Sequence, residues 1–413
     1  MSQTRRAQSL IVGAGHAGVA LAVALTRVMG PGSVTIIGDE RQLPYERPAL
    51  SKRLLYGAAP PDPILLRSPE YWEKSSVELH LGERVTAIDP LRKRVRTERG
   101  DSWGYRQLVW AAGGRAARSG LPGEDLAGVH TLRTFSDLTA IRADLATARS
   151  AVVVGGGYLG LEAAAALRML GLAVTVVEIA PRLLARVTGD AISEYFGTLH
   201  RSHGVKVRLG LGVDTVLGTN GRVTAVRLSD ATTLPADIVI VGVGMRPVVD
   251  PLLEAGADGD QSGIQIDGAC RTSLPDVFAV GDCAQQINPY SPSPATARRI
   301  ESVHNTGQHA AAVSRSFAKL APLDPAPPRF WSTQFGNELR TVGLPAAGDE
   351  QIVRGDPASA DFSVLYLRDG RLSAIDAVNR PRDFARAQAL VAARWHPPNG
   401  QTLADPAEDL PRP

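Results

Sequence analysis

Two hexapeptides of nearly the same form, Gly13-Ala14-Gly15-His16-Ala17-Gly18 and Gly155-Gly156-Gly157-Tyr158-Leu159-Gly160, lie about 140 residues apart in the chain. Each follows a β-branched run, Ser9-Leu10-Ile11-Val12 and Ala151-Val152-Val153-Val154, and each leads into an alanine-rich stretch with helical periodicity. A strand that ends in G-x-G-x-x-G turns tightly, lets bare backbone approach a ligand, and aims the free N–H groups of the next helix at a pyrophosphate. One such motif is weak evidence. Two in the same strand, turn and helix context specify two dinucleotide sites in one polypeptide.

The second strand of each unit supports this. Val34-Thr35-Ile36-Ile37 ends in Gly38-Asp39-Glu40, and Val174-Thr175-Val176-Val177 ends in Glu178. An acid about 20 residues beyond the glycines is placed to bind a ribose hydroxyl. Gly38 occupies the expected slot in the first unit, so Asp39 is assigned ahead of Glu40. In the second unit Glu178 would bind both ribose hydroxyls and repel a 2′-phosphate; the residues after it, Ile179 and Ala180, offer no compensating cation. That pattern selects NADH over NADPH.

With 413 residues and 44% hydrophobic content the chain exceeds one core and suffices for two or three. A formal charge of +3, from 45 basic and 42 acidic residues, gives no support for nucleic-acid binding. The first apolar run is broken at once by glycines and no eighteen-residue apolar stretch exists, so neither a signal peptide nor a membrane span is expected, and the protein is assigned to the cytoplasm. The two cysteines, Cys270 and Cys283, are too far apart for a CxxC dithiol and too few for a cysteine-based metal or cluster site. No metal is expected, and Cys283 reads as a small buried thiol.

Two strand-to-glycine runs, Leu108 to Arg115 and Ile238 to Pro247, mark domain crossings, and Val277 to Asp282 repeats the pattern after the second. The implied organisation is a discontinuous first nucleotide domain (1–114 and 246–321), a second nucleotide domain (115–245) and a C-terminal α+β domain (322–413). Within the last, Phe362 to Leu367 and Arg371 to Val378 alternate around Asp369-Gly370 as a hairpin. Ala321 to Pro328 is a proline-rich linker, and the tail beyond Trp395 is expected to be poorly ordered.

Six segments carry a more specific resemblance: Pro44-Tyr45-Glu46-Arg47-Pro48-Ala49-Leu50-Ser51-Lys52, Gly155 to Glu162, Phe278 to Asp282, Arg299-Ile300-Glu301-Ser302-Val303, Phe330-Trp331-Ser332, and Asp376-Ala377-Val378-Asn379-Arg380-Pro381. Together they resemble the NADH-dependent, FAD-containing ferredoxin reductases of bacterial oxygenase systems, the putidaredoxin reductase and biphenyl-dioxygenase reductase group. The resemblance implies an α/β fold with two Rossmann-like, glutathione-reductase-like domains plus the C-terminal domain, FAD in the first unit, NADH in the second, and a monomer or weak dimer. It implies that Gly13, Gly15, Ala17 and Gly18 hold the FAD pyrophosphate, Asp39 the adenosine ribose and Val85 the adenine. Arg47 and Arg133 would meet FAD, Asp282 its ribityl chain, and Val303, opening a helix, the pyrimidine edge. Gly155, Gly157, Tyr158, Leu159, Gly160, Glu178 and Gly244 would hold NADH. Lys52, Glu162 and Trp331 would form the catalytic set, an ammonium near the flavin N5 stabilising charge that arrives with a hydride while the carboxylate orients it.

The implied activity is hydride transfer from NADH to FAD, then single-electron transfer to a [2Fe–2S] ferredoxin that feeds a cytochrome P450 or a Rieske-type oxygenase. The same scaffold also admits an NADH oxidase, a rubredoxin or nitrite-reductase type of reductase, or an NADH-sensing flavoprotein resembling apoptosis-inducing factor. Several residues depart from the family pattern: Ala112 for a threonine, His304 and His309 for proline and glutamine, Thr306-Gly307 for larger apolar residues, and Ala311 for a basic residue of some relatives. Gly307, inside a helix, suggests close packing against the cofactor or a kink.

Overall fold

The structure is a computed structural model that describes residues 5–57, 62–397 and 402–411. The chain divides into two compact units, one of Met1–Glu46, Pro63–Arg115 and Met245–Pro328, the other of Arg47–Asp62, Ala116–Gly244 and Arg329–Pro413.

The first unit is built on a seven-stranded sheet. Five strands run parallel in the order Glu78–Leu81, Val34–Gly38, Arg5–Val12, Ser102–Trp110 and Val277–Ala279. Parallel strands are covered on both faces and so read as nearly unbroken apolar runs; Leu10, Ile11, Ile36, Ile37, Leu108 and Val109 are all buried. Helix His16–Met29 packs against helix Val303–Phe317, with Leu21, Leu25, Ala310 and Val313 in one core with Ile11 and Ile36. Gly13, Gly38, Ala111 and Gly281 therefore follow or end strands at the same carboxyl edge, where open α/β sheets bind ligands.

The second unit repeats the plan in a five-stranded parallel sheet, Lys206–Leu209, Ala173–Glu178, Ser150–Val154, Ile238–Val241 and Val129–His130. It also carries a five-stranded antiparallel sheet in the order Arg329–Gln334, Asn337–Gly343, Arg371–Val378, Asp361–Arg368 and Glu350–Asp356, packed by helix Pro381–Ala392. The expected hairpin closes with Arg368 opposite Arg371, and the turn residues Asp369 and Gly370 both take positive φ, 52° and 70°, as a two-residue turn between twisted strands requires.

These units differ from the domains drawn from sequence at two places. Residues 47–62, drawn with the first domain, group with the second unit because helix Arg53–Tyr56 packs on helix Tyr158–Met169. Strand Arg329–Gln334 packs on the same helix, which joins the C-terminal sheet to that unit. The tail also departs from expectation. Residues 398–401 and 412–413 lie outside the described residues, but 402–411 form a strap whose Leu403 and Leu410 are buried and whose carbonyls at Leu403, Asp405 and Glu408 accept from the buried guanidinium of Arg354. Apolar side chains and a buried donor order a segment that proline and acid content alone marks as loose.

Candidate active site

The two glycine loops share one backbone device. Gly13 has φ +115° and a Cβ there would lie 2.2 Å from the Ala111 carbonyl oxygen; Gly155 has φ +108° and its Cβ would lie 2.5 Å from that of Gly242. The last glycine of each motif closes against the first, since a Cβ on Gly18 would be 2.0 Å from the Gly13 oxygen and one on Gly160 would be 2.1 Å from the Gly155 oxygen. Only glycine satisfies these positions. The helices that follow start at Gly15 and Gly157 with no side-chain cap and no acid in the first turn. Among the described helices of eight residues or more only these two lack both features: Thr134 and Asp137 form a reciprocal box, Ser302 accepts from Asn305 N–H, and Asp190 and Asp383 stand in the first turns of the uncapped helices Asp190–Ser202 and Pro381–Ala392. Uncapped helix starts behind glycine turns leave donors for an anion, which fits a dinucleotide pyrophosphate at each loop.

Around the first loop, Gly281 (φ +75°) abuts Ala17, where an added Cβ would stand 2.9 Å from that of Ala17. Asp282 follows it, half-buried, and its carbonyl accepts from Arg299 at 3.1 Å. Asp39 is exposed and lies 3.7 Å from Arg84; Val85 is buried beside it, and Glu83 N–H ties this segment to the Gly38 carbonyl. Glu40, the alternative to Asp39, instead accepts from the buried Tyr45 hydroxyl at 2.5 Å. Val303 opens its helix and is half-buried. Gly307 stands exposed with no protein atom within 4 Å of an added Cβ, so protein packing does not explain that glycine.

At the second loop the Glu178 carboxylate accepts from Gly156 N–H at 2.5 Å and from Ala180 N–H at 2.7 Å. The nearby Arg182 is committed elsewhere, to the Thr188 carbonyl, the Ser193 hydroxyl and the Asp190 carboxylate. Gly244 (φ +119°) lies exposed in the turn after strand Ile238–Val241, two residues beyond Gly242. Tyr158 is tied through Thr341 to Asp376; burial and that carboxylate push its phenol up.

Lys52 and Glu162 meet as the resemblance implied. Lys52 Nζ lies 2.8 Å from Glu162 Oε2, with the lysine 21% and the glutamate 6% exposed, and also donates to the Pro48 carbonyl. Ser51 donates to the same carboxylate oxygen at 2.6 Å, and Ser332 to the other at 2.7 Å. Behind Ser332, Gln334 donates to its hydroxyl and accepts from His200 Nε2 at 2.9 Å. Burial pushes the His200 imidazole down to about 4, so it is a neutral donor at the end of this relay. Trp331, next to the inward Ser332 on strand Arg329–Gln334, is 40% exposed. Arg47 donates to the Arg133 carbonyl at 2.9 Å, and Asp137 holds the Arg133 N–H, so the Arg47 guanidinium is anchored on the Arg133 backbone.

Sequence reading missed Ser51, Ser332, Gln334 and His200. Ser332 and Gln334 had a signal, since a strand with Trp331 outward turns its alternate residues inward; His200 on an amphipathic helix had none. Both cysteines are free and buried, and burial pushes both thiols up, Cys283 to about 12, so neither is poised as a thiolate.

Two uncapped nucleotide loops and a buried Lys–Glu pair define a pyridine-nucleotide oxidoreductase. Residues 7–310 match the pyridine nucleotide-disulphide oxidoreductase family and residues 329–412 the reductase C-terminal domain, and the chain belongs to that family. It is 45% identical over 385 residues to a ferredoxin–NAD(P)(+) reductase of Sphingomonas sp, covering 93% of this chain and 92% of that one. It is 47% identical over 384 residues to the 5,5′-dehydrodivanillate O-demethylase ferredoxin reductase subunit of a Sphingobium species, covering 92% of each. Putidaredoxin reductase in its covalent complex with putidaredoxin superposes with a TM-score of 0.91 at 36% identity, covering 97% of this chain and 96% of that one. No described helix is long and apolar enough to cross a membrane.

Proposed function

We propose that this protein is an NADH-dependent, FAD-containing ferredoxin reductase that supplies electrons to an oxygenase through a small [2Fe–2S] ferredoxin in the cytoplasm. The observation that carries the reading is the pair of uncapped helix starts behind Gly13 and Gly155, each shaped for a dinucleotide. We assign FAD to Gly13, Gly15, Ala17, Gly18, Asp39, Val85, Arg47, Arg133, Asp282 and Val303, and NADH to the loop from Gly155 to Gly160 with Glu178 and Gly244. FAD, when bound, supplies the conversion of a two-electron hydride donor to one-electron delivery.

The protein's own part is positioning and charge. Ser51 and Ser332 fix both oxygens of Glu162, and Glu162 holds the Lys52 ammonium within one salt-bridge distance. A lysine so held presents positive charge in a fixed place without reorganisation, the arrangement that stabilises negative charge developing nearby. Glu178, anchored on two backbone amides with Arg182 turned away, favours a free 2′-hydroxyl. The partner assignment draws on relatives named as ferredoxin–NAD(+) reductase components of dioxygenase systems and on the neighbour held in a complex with putidaredoxin.

The purified protein is expected to be yellow, to bleach under anaerobic NADH, and then to reduce a [2Fe–2S] ferredoxin faster than it consumes oxygen or reduces rubredoxin. Colourless protein, or colour that persists under anaerobic NADH, overturns the reading; faster turnover with oxygen or rubredoxin replaces the partner.

A further inference from the structure

In the first unit a second buried relay runs from the Gly281 turn to the start of helix Val303–Phe317. Gly281 N–H donates to His309 Nδ1 at 2.9 Å, and His309 Nε2 lies 3.1 Å from Gln286 Oε1. An N–H can only donate, so Nδ1 is bare and the proton sits on Nε2, which donates to Gln286. Gln286 Nε2 in turn donates to Asn305 Oδ1 at 3.2 Å, and Asn305 Nδ2 donates to the Ile300 carbonyl. Asn305 N–H is the group capped by Ser302. Every bond points the same way, and one neutral imidazole, buried throughout, joins the turn that bears Asp282 to the helix end that bears Val303.

We propose that His309 is a positioning residue for FAD, clamping the Gly281–Asp282 turn to the helix start at Val303, and that a proton on its Nδ1 unlocks the clamp. The proposal rests on the assignment of FAD to the first loop. Gly281 abuts Ala17 of that loop, so the turn has no slack: release of its N–H moves the residue that packs on the pyrophosphate helix. A second ring proton would set two N–H groups against each other in a buried site, leaving Gly281 N–H without an acceptor.

Burial, rather than any neighbouring charge, opposes charging of the imidazole. Burial pushes it down to about 4, against the pull of the Asp282 carboxylate. The elements packed here carry His16 and Arg27 on the first-loop helix, Asp282 and Cys283 on the turn, and Arg298, Arg299 and Glu301 beside the Gln286 strand. The rest are Cys270, whose thiol faces the His309 carbonyl, and His304 and Arg315 on the same helix. A neutral side chain with an acceptor and a donor can replace the imidazole without titrating, so His309→Gln separates the clamp from its proton while leaving Asp282 and the other groups as they are.

The test measures FAD retention by filtration and flavin fluorescence for wild-type holoprotein, His309→Gln and His309→Ala between pH 8 and pH 4, with circular dichroism as the control on folding. At pH 7.5 wild type and His309→Gln retain FAD alike, and His309→Ala binds it about tenfold more weakly or more. Below pH 5 wild type binds progressively more weakly than His309→Gln, by about twofold at pH 4, because only the histidine gains a proton. Coincident pH profiles for wild type and His309→Gln overturn the role of His309, whether or not His309→Ala folds. Wild-type protein that takes up no FAD at any pH overturns the assignment of the first loop instead.

Discussion

The corner between glycine turn and second strand holds one side chain in each nucleotide loop, and the two loops take it from opposite sides. In the first, Ala14 of the turn fills it and the strand end is Gly38, where an added Cβ would lie 2.7 Å from that of Ala14. In the second, Glu178 of the strand fills it and the turn residue is Gly156, whose added Cβ would lie 3.1 Å from the Glu178 Cβ and 2.6 Å from Leu183. The paired strands put Gly38 and Glu178 in the same register position, one residue beyond Ile37 and Val177. A shared backbone thus leaves one choice open, and the choice decides whether a carboxylate stands directly on the loop, as Glu178 does, or one residue further out and exposed, as Asp39 does.

The largest effects should come from the shared part. Gly13→Ala and Gly155→Ala each force a left-handed residue into a backbone carbonyl, a strain of about 3 kcal/mol or more on top of the lost approach to the ligand. Gly13→Ala is expected to purify without flavin. Gly155→Ala should stay yellow and be reduced by dithionite, while its KM for NADH rises at least roughly a hundredfold. Absorbance spectra and NADH kinetics check both, and loss of colour in Gly155→Ala would break the assignment of one nucleotide to each loop.

The corner itself can be exchanged. Gly38→Glu alone collides with Ala14, whereas the double change Ala14→Gly with Gly38→Glu copies the second loop, and denaturant titration should show the double variant recovering about 1–2 kcal/mol of the single variant's loss. In the second loop Glu178→Gly removes an acceptor from two backbone amides. It is expected to raise KM for NADH on the order of tenfold to a hundredfold and to narrow the preference over NADPH, measured as the ratio of kcat/KM. Strictly additive single and double variants would show that the corner is not shared.

Each unit also buries a titrating probe. His309 in the first and His200 in the second are both pushed down to about 4 by burial, so between there and the ordinary histidine value the folded chain holds fewer protons than the unfolded one. Their contribution is present above about pH 6.5 and lost as pH falls through 4, up to roughly 3 kcal/mol each. Asp376, fully buried under the hydroxyls of Thr341 and Tyr366, is pushed up to about 6 by burial and acts with the opposite sign. Its contribution is present below about pH 4 and lost as pH rises through 6. Denaturant titrations from pH 4 to 7 should therefore show His200→Gln flattening the acid loss of stability and Asp376→Asn steepening it.

Much of this arrangement was legible in the residues. Glycine spacing, β-branched runs and the Asp369-Gly370 turn are local signals, and they gave the loops, the parallel strands and the C-terminal hairpin. The Lys52 and Glu162 pair came from the resemblance rather than from spacing, since 110 residues separate them. Their supports, Ser51 and Ser332, and both histidine relays depend on which small polar side chains the packing turns inward. A sequence shows that a serine or histidine is present but not that a buried acceptor awaits it. The strap at 402–411 was misread for the same reason: its order comes from Arg354, some 50 residues earlier.

The smallest predicted effect separates glycines the fold requires from one it does not. Gly307 lies in the interior of helix Val303–Phe317 with ordinary helical φ, exposed, and with nothing for a methyl group to meet. Gly307→Ala should then stabilise the protein by about 1 kcal/mol, because alanine lowers the entropy of the unfolded chain and favours the helix. FAD content and NADH kinetics should not change. If the variant is instead destabilised or loses flavin, the bare backbone at 307 is contacted by the bound cofactor or partner. Gly307 would then join Gly13 and Gly155 as a position where a ligand, rather than the chain's own packing, sets the residue.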